Sequence, residues 1–182
     1  MNHFLRSTSF ALACSLLLCI SANIYASVDA SETPKSISSN SVKPIKQIKQ
    51  EELKENPNSQ LLAATQNGKI EEVRSLLAKA VDVNVRDEYG WTPLLWAAMN
   101  GNADIARVLL AAGANPNTRN KYGWTPLMWA AGQGYGEIVR SLIASGARLN
   151  AQDRNGWTAI MWAWDGKHDE TVAILRSATR DF

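Results

Sequence analysis

The hexapeptide Tyr89-Gly90-Trp91-Thr92-Pro93-Leu94 returns 33 residues later as Tyr122-Gly123-Trp124-Thr125-Pro126-Leu127, and after another 33, altered, as Asn155-Gly156-Trp157-Thr158-Ala159-Ile160. A fixed period of this length implies a row of like units, each covering the apolar face of its neighbour. A fourth copy lies upstream, where Leu61-Leu62-Ala63-Ala64 aligns without a gap on Leu94-Leu95-Trp96-Ala97, and Val83-Asn84 on Pro116-Asn117. Four units exceed the minimum of about three that such a stack needs to bury its faces.

Elementary helix rules predict that each unit is a pair of short helices. Thr92 can cap a helix whose first position is Pro93, and Gly101 falls where a left-handed residue must end it. Thr125, Pro126 and Gly134 repeat the arrangement. A second helix is predicted from about Asn102 to Ala112, with Ile105, Val108, Leu109 and Ala112 forming one apolar stripe and Gly113 stopping it, as Gly146 does one repeat later.

The stretch from Gly90 to Ala98, Gly-Trp-Thr-Pro-Leu-Leu-Trp-Ala-Ala, resembles the ankyrin signature of Thr-Pro-Leu-His followed by small residues. The resemblance runs from about Asn56 to Phe182. It includes the second-helix pattern (Ile105 to Leu110, Ile138 to Ile143) and the Gly-Ala-x-x-Asn exit (Gly113 to Asn117, Gly146 to Asn150). It implies an all-α ankyrin-repeat solenoid of four stacked helix-turn-helix units with β-turn tips. The repeats fall at about 56–88 (an N-terminal cap), 89–121, 122–154 and 155–182 (a C-terminal cap). The family's histidine is replaced here by Leu95, Met128 and Met161, so apolar packing is expected in place of its polar network.

Capping is legible at both ends. Arg176 replaces Leu110 and Ile143, placing a charge on a face expected to have no following repeat; Gln60 and Thr65 replace Pro93 and Ala98, a polar first helix that suits solvent. Ala80 stands in place of Gly113 and Gly146, where a left-handed backbone would cost about 1 kcal/mol, so a different exit is expected.

Residues 1–26 read as a secretory signal peptide, with Arg6 ahead of an apolar run of eleven residues, Phe10 to Ile20, and small or polar residues leading to Ala26. The run is short for a membrane span, which needs about 20 apolar residues. Cleavage is placed after Ala26, with Ala22 and Ala30 as competing sites and an uncleaved anchor as the alternative. Both cysteines, Cys14 and Cys19, would leave with the signal. Residues 27–55 are rich in Ser, Lys and Gln and read as a flexible tether, with a short helix near 44–55 an open alternative. Lys43, Lys46 and Lys49 are offset by Glu51, Glu52 and Glu55, the pattern of a solvated linker. The expected location is the periplasm or beyond the cell.

Charge and composition exclude several functions. Loss of Arg6 leaves 18 basic against 17 acidic side chains and no basic stripe, which argues against a nucleic-acid partner. His168 would be the sole histidine of the processed chain, so no Cys/His, Ser/His/Asp or histidine-metal site can be assembled. His168 reads as a loop-closing hydrogen bonder, and Asp165 with Asp169 as acidic residues at a helix junction. No enzyme activity, cofactor or metal is expected.

The surface remains. Trp96, Trp129 and Trp162 form one ladder at 33-residue spacing, inside the first helix, where buried packing is expected. Trp91, Trp124 and Trp157 form a second, just before the helix cap. This row is read as partner hot spots near the turn tips, the alternative being that each indole leans on the next turn. Tyr89 and Tyr122, with Glu88, Lys121, Arg154 and Asn155, extend the strip along the tips, and Met99, Asn100 and Gln133 extend it to the end of the first helices on the concave side. The expected function is a monomeric, non-catalytic scaffold that binds a protein partner. Alternatives are an immunity or inhibitor protein against a toxin or enzyme reaching the periplasm, an accessory factor for an envelope enzyme, for example in oxidative-stress defence, and a secreted host-directed effector.

Overall fold

The computed structural model describes residues 56–180. Eight helices follow one another there: α1 Pro57–Gln66, α2 Ile70–Leu77, α3 Pro93–Asn100, α4 Ala103–Ala111, α5 Pro126–Gly132, α6 Gly136–Ala144, α7 Ala159–Asp165 and α8 Asp169–Arg180. They pair as four antiparallel hairpins, and the described residues contain no strand. The first helices pack in one row, α1 on α3 on α5 on α7, and the second helices in a parallel row, α2 on α4 on α6 on α8. This is the expected all-α solenoid.

The signals that define each hairpin act through identifiable bonds. Thr92 and Thr125 sit in extended backbone and accept the N–H groups of Leu95 and Met128 at 3.3 Å, with Pro93 and Pro126 opening the helices. Met128 supplies a further contact from the position where the family has histidine: its Sδ accepts the Thr125 N–H at 3.4 Å. Gly101 and Gly134 end the first-helix segments at φ of 72° and 74°. Their need for glycine is double, because a Cβ on Gly101 would meet Tyr135 Cζ at 2.7 Å and one on Gly134 would meet His168 Nδ1 at 2.5 Å. The residue that opens each second helix thus packs on the bare turn of the preceding repeat.

Between repeats, asparagines stitch the exits together. Asn84 Oδ1 accepts the Asn115 N–H at 2.8 Å while its Nδ2 donates to the Gly113 carbonyl at 3.4 Å. Asn117 does the same one layer on, accepting from Arg148 N–H at 2.8 Å and donating to the Gly146 carbonyl at 3.0 Å. The outer face adds ion pairs across layers, Arg107 to Glu137 at 3.0 Å and Arg140 to Glu170 at 3.2 Å. These are exposed, and each contributes at most about 1 kcal/mol.

Three local expectations require correction. Ala80 does not avoid the left-handed exit: it adopts φ of 56°, closed by N–H bonds from Lys79 and Ala80 to the carbonyls of Leu76 and Leu77. This exit carries the chain to Asn84 in register with Asn115, and that register outweighs a strain of about 1–2 kcal/mol. Thr65 does not face solvent; it is fully buried, its hydroxyl donating to the Leu61 carbonyl at 2.8 Å, because its position, like that of Ala98, looks toward the next repeat rather than the free end. Met161 is not core. Leu95 and Met128 at the same register are fully buried, whereas Met161 is 48% exposed, since no helix lies over that side of α7 among the described residues.

A candidate protein-binding surface

Each turn tip is built by one bracket. Asp87, Asn120 and Asp153 each donate their N–H to the carbonyl of the residue four on, respectively Trp91, Trp124 and Trp157. Their Oδ1 atoms accept two N–H groups in return: Tyr89 and Trp91 on Asp87, Tyr122 and Trp124 on Asn120, Asn155 and Trp157 on Asp153, all between 2.7 and 3.0 Å. Gly90, Gly123 and Gly156 donate back to the first residue's carbonyl, which closes a β-turn. Short polar side chains suit this place because they can bond backbone groups two and four residues on. Neighbouring tips are joined by Lys121 N–H to the Tyr89 carbonyl at 3.0 Å, and by Arg119, whose guanidinium reaches both the Gly123 and Gln152 carbonyls.

The bracket directs two sets of side chains oppositely. The residues between its ends point outward: Glu88, Lys121, Arg154 and Asn155 are exposed, Tyr89 is 40% and Tyr122 44% exposed, and the Lys121 ammonium stands 6.0 Å from the centre of the Tyr89 ring. At the ends of the first helices, Asn100 is exposed and its Nδ2 donates to the Gln66 carbonyl at 3.0 Å, while Met99 and Gln133 are half-buried.

The tryptophan at the end of the bracket turns inward, and here the expectation of an accessible hot-spot row is corrected. Trp91 is 2% and Trp124 9% exposed, and Trp157 is half-buried. The two ladders are one. In spatial order the rings run Trp96, Trp91, Trp129, Trp124, Trp162, Trp157, with centroids 4.5, 5.4, 4.3, 4.5 and 4.8 Å apart. Trp91 and Trp124 are thus each wedged between the helix indole of their own repeat and that of the next, and Trp157 ends the series against Trp162 alone, the packing alternative left open by the sequence. Offset aromatic pairs contribute about 0.5–1.5 kcal/mol each beyond area burial. The zipper packs behind the tips and leaves the tyrosines and charged side chains displayed on them.

The last tip differs in one bond that sequence reasoning missed. Asp153 Oδ2 accepts the Trp162 indole N–H at 3.2 Å. In the preceding repeat that oxygen is the amide Nδ2 of Asn120, buried without an acceptor among the described residues. His168 closes its loop as expected, with Nε2 3.1 Å from the Gly132 carbonyl.

The repeated hairpin, bracketed β-turn and inter-repeat ladder define a protein of the helical-repeat solenoid class. The sequence model of the family described as ankyrin repeats (3 copies) matches residues 35–120 and 112–182, and the chain belongs to this family. The match begins upstream of Asn56; residues 35–55, with the tether and short-helix readings, and the signal segment lie outside the described residues. No curated protein matches the chain. Ankyrin repeats are generally protein–protein interaction modules and typically non-catalytic. No helix among the described residues is long and apolar enough to cross a membrane.

Proposed function

We propose that the chain is an exported, non-catalytic scaffold of the cell envelope that binds one protein partner through its turn tips and the adjoining ends of its first helices. The observation that carries this reading is the contrast within each bracket. Six tryptophans are consumed in making the tips rigid, while Tyr89 and Tyr122 remain displayed among Glu88, Lys121, Arg154 and Asn155. Aromatic side chains held on rigid backbone lose little entropy on binding, and mixed charges around them set register and on-rate. Export rests on the N-terminal pattern of Arg6, the apolar run from Phe10 to Ile20, and Ala26.

The test is capture from envelope extract by the parent chain and by a Tyr89→Ala/Tyr122→Ala variant, with melting recorded for both. One protein retained by the parent and bound about 30-fold or more weakly by the variant, at unchanged melting, is the expected result. Equal retention by both forms would move the site away from the tips.

A further inference from the structure

The three turn-tip loops share one backbone design and differ in charge along the stack. Asp82, Asp87 and Glu88 outweigh Arg86 in loop 81–92, Arg119 and Lys121 stand without an acidic residue in loop 114–125, and Arg148 and Arg154 outweigh Asp153 in loop 147–158. Asp153 is buried, both its oxygens accepting N–H groups of its own repeat, so it presents no carboxylate to the cations around it. On the outer row of helices, by contrast, Arg107 and Arg140 each reach a carboxylate of the following repeat. Arg119, Lys121 and Arg154 are exposed and form no ion pair among the described residues.

The backbone gathers these cations. A Cβ built on Gly123 would stand 3.2 Å from Arg119 Nη2 and 3.3 Å from Arg154 Cγ, so both side chains flank the same bare turn. Arg119 donates to the carbonyls of Gly123 and Gln152, which holds its guanidinium between the tips of the third and fourth repeats and leaves the rest of its five N–H groups unbonded among the described residues. Lys121 and the 44% exposed Tyr122 rise from that turn as well.

We infer that the tips of the third and fourth repeats receive an acidic segment of the protein partner, its carboxylates on Arg119, Lys121 and Arg154. The inference rests on the tip reading above and names the chemistry of its partner. Neighbouring cations with no counter-charge repel one another and favour an incoming anion, and a guanidinium held in place beforehand loses little freedom on gripping it. Lys121 and Arg154 share a register in successive repeats, and packed helices lie about 8–10 Å apart. An extended chain advances about 3.3 Å per residue, so acidic residues about three positions apart match the two cations. A polynucleotide is a poorer match, because a uniform polyanion following the row would meet Asp87 and Glu88 at the next tip, whereas a protein segment can change sign with it.

The test is a fluorescence-anisotropy titration of the chain, purified as the cell processes it, with two labelled dodecapeptides that carry Glu or Lys at every third position among Ser and Gly. At about 20 mM salt the Glu peptide is expected to bind with a Kd of about 100 µM or below, more weakly at about 200 mM salt, and the Lys peptide not at all. Lys121→Glu/Arg154→Glu should weaken the Glu peptide at least tenfold at unchanged melting temperature; Arg119 is kept because it ties the two tips together. Absence of binding up to about 1 mM would overturn the inference, as would undiminished binding by the charge-reversed chain or tighter binding of an oligothymidylate of equal charge. In the envelope capture, a partner lost with Tyr89→Ala/Tyr122→Ala but kept by the charge-reversed chain would overturn the acidic segment and leave the tip reading standing. A partner kept by the tyrosine variant and lost with the charge-reversed one would support the acidic segment, and one kept by both would overturn both.

Discussion

The third and fourth repeats carry almost the same words and meet different surroundings. Gly123-Trp124-Thr125-Pro126-Leu127-Met128-Trp129 and Gly156-Trp157-Thr158-Ala159-Ile160-Met161-Trp162 differ only at Pro126/Ala159 and Leu127/Ile160, yet Met128 is fully buried and Met161 half exposed, and Trp124 is more enclosed than Trp157. Thr125 caps its helix, whereas Thr158 makes no side-chain cap bond. The difference lies in the layer that follows. In a stacked repeat a residue's environment is supplied by the next copy, so identity of motif does not give identity of energy.

The largest test of this contrast concerns the tryptophans. Trp129 lies in the middle of the zipper, between Trp91 and Trp124, and is almost wholly buried, whereas Trp164 is mostly exposed. Trp129→Ala is expected to cost about 3–5 kcal/mol in denaturant unfolding. The same substitution at Trp164 should stay within about 0.5 kcal/mol. Comparable losses at both would mean that the terminal face is packed as tightly as the interior.

A middle-sized effect is expected at the tips. Asp153→Asn converts the last bracket to the chemistry of Asn120, replacing the acceptor of the Trp162 indole N–H with a donor. Leaving a buried donor without its acceptor costs about 1–3 kcal/mol. A variant that melts at the parent temperature would show that this bond adds nothing to the last layer.

Much of this fold is legible in the period alone, since Thr92, Pro93, Gly101 and their copies state where helices start and stop, and the structure places them there. The tip residues Tyr89, Tyr122 and Lys121 were readable for the same reason: a β-turn's central side chains have nowhere to point but out. The burial of Trp91 and Trp124 was not readable, because spacing gives the axial repeat and not the side of the turn on which a ring lies; two rows 33 residues in period and five residues apart could run separately or interleave. Trp164 carried a visible signal in its mismatch with Ala98 and Ala131. Thr65 misled because a polar residue in the first repeat suits either a solvated face or a buried hydroxyl bonded to the preceding turn, and only the direction of the next layer decides between them.

The smallest expected effect separates two reasons for one glycine. Gly101 and Gly134 are required both by positive φ and by the ring of Tyr135 or His168 lying against them. Lys167 stands at the same register with φ of 58°, and no ring of a following repeat lies over it among the described residues, so its strain is purely that of the backbone. Lys167→Gly should therefore stabilise the chain, by no more than about 1 kcal/mol, as relief of the left-handed strain is partly offset by the extra freedom glycine gains when unfolded. A thermal or denaturant midpoint that rises slightly fits this account. A fall would mean that the Lys167 side chain makes stabilising contacts in the terminal layer that outweigh the strain, and the inner and outer glycine positions would then differ in more than the presence of a neighbour.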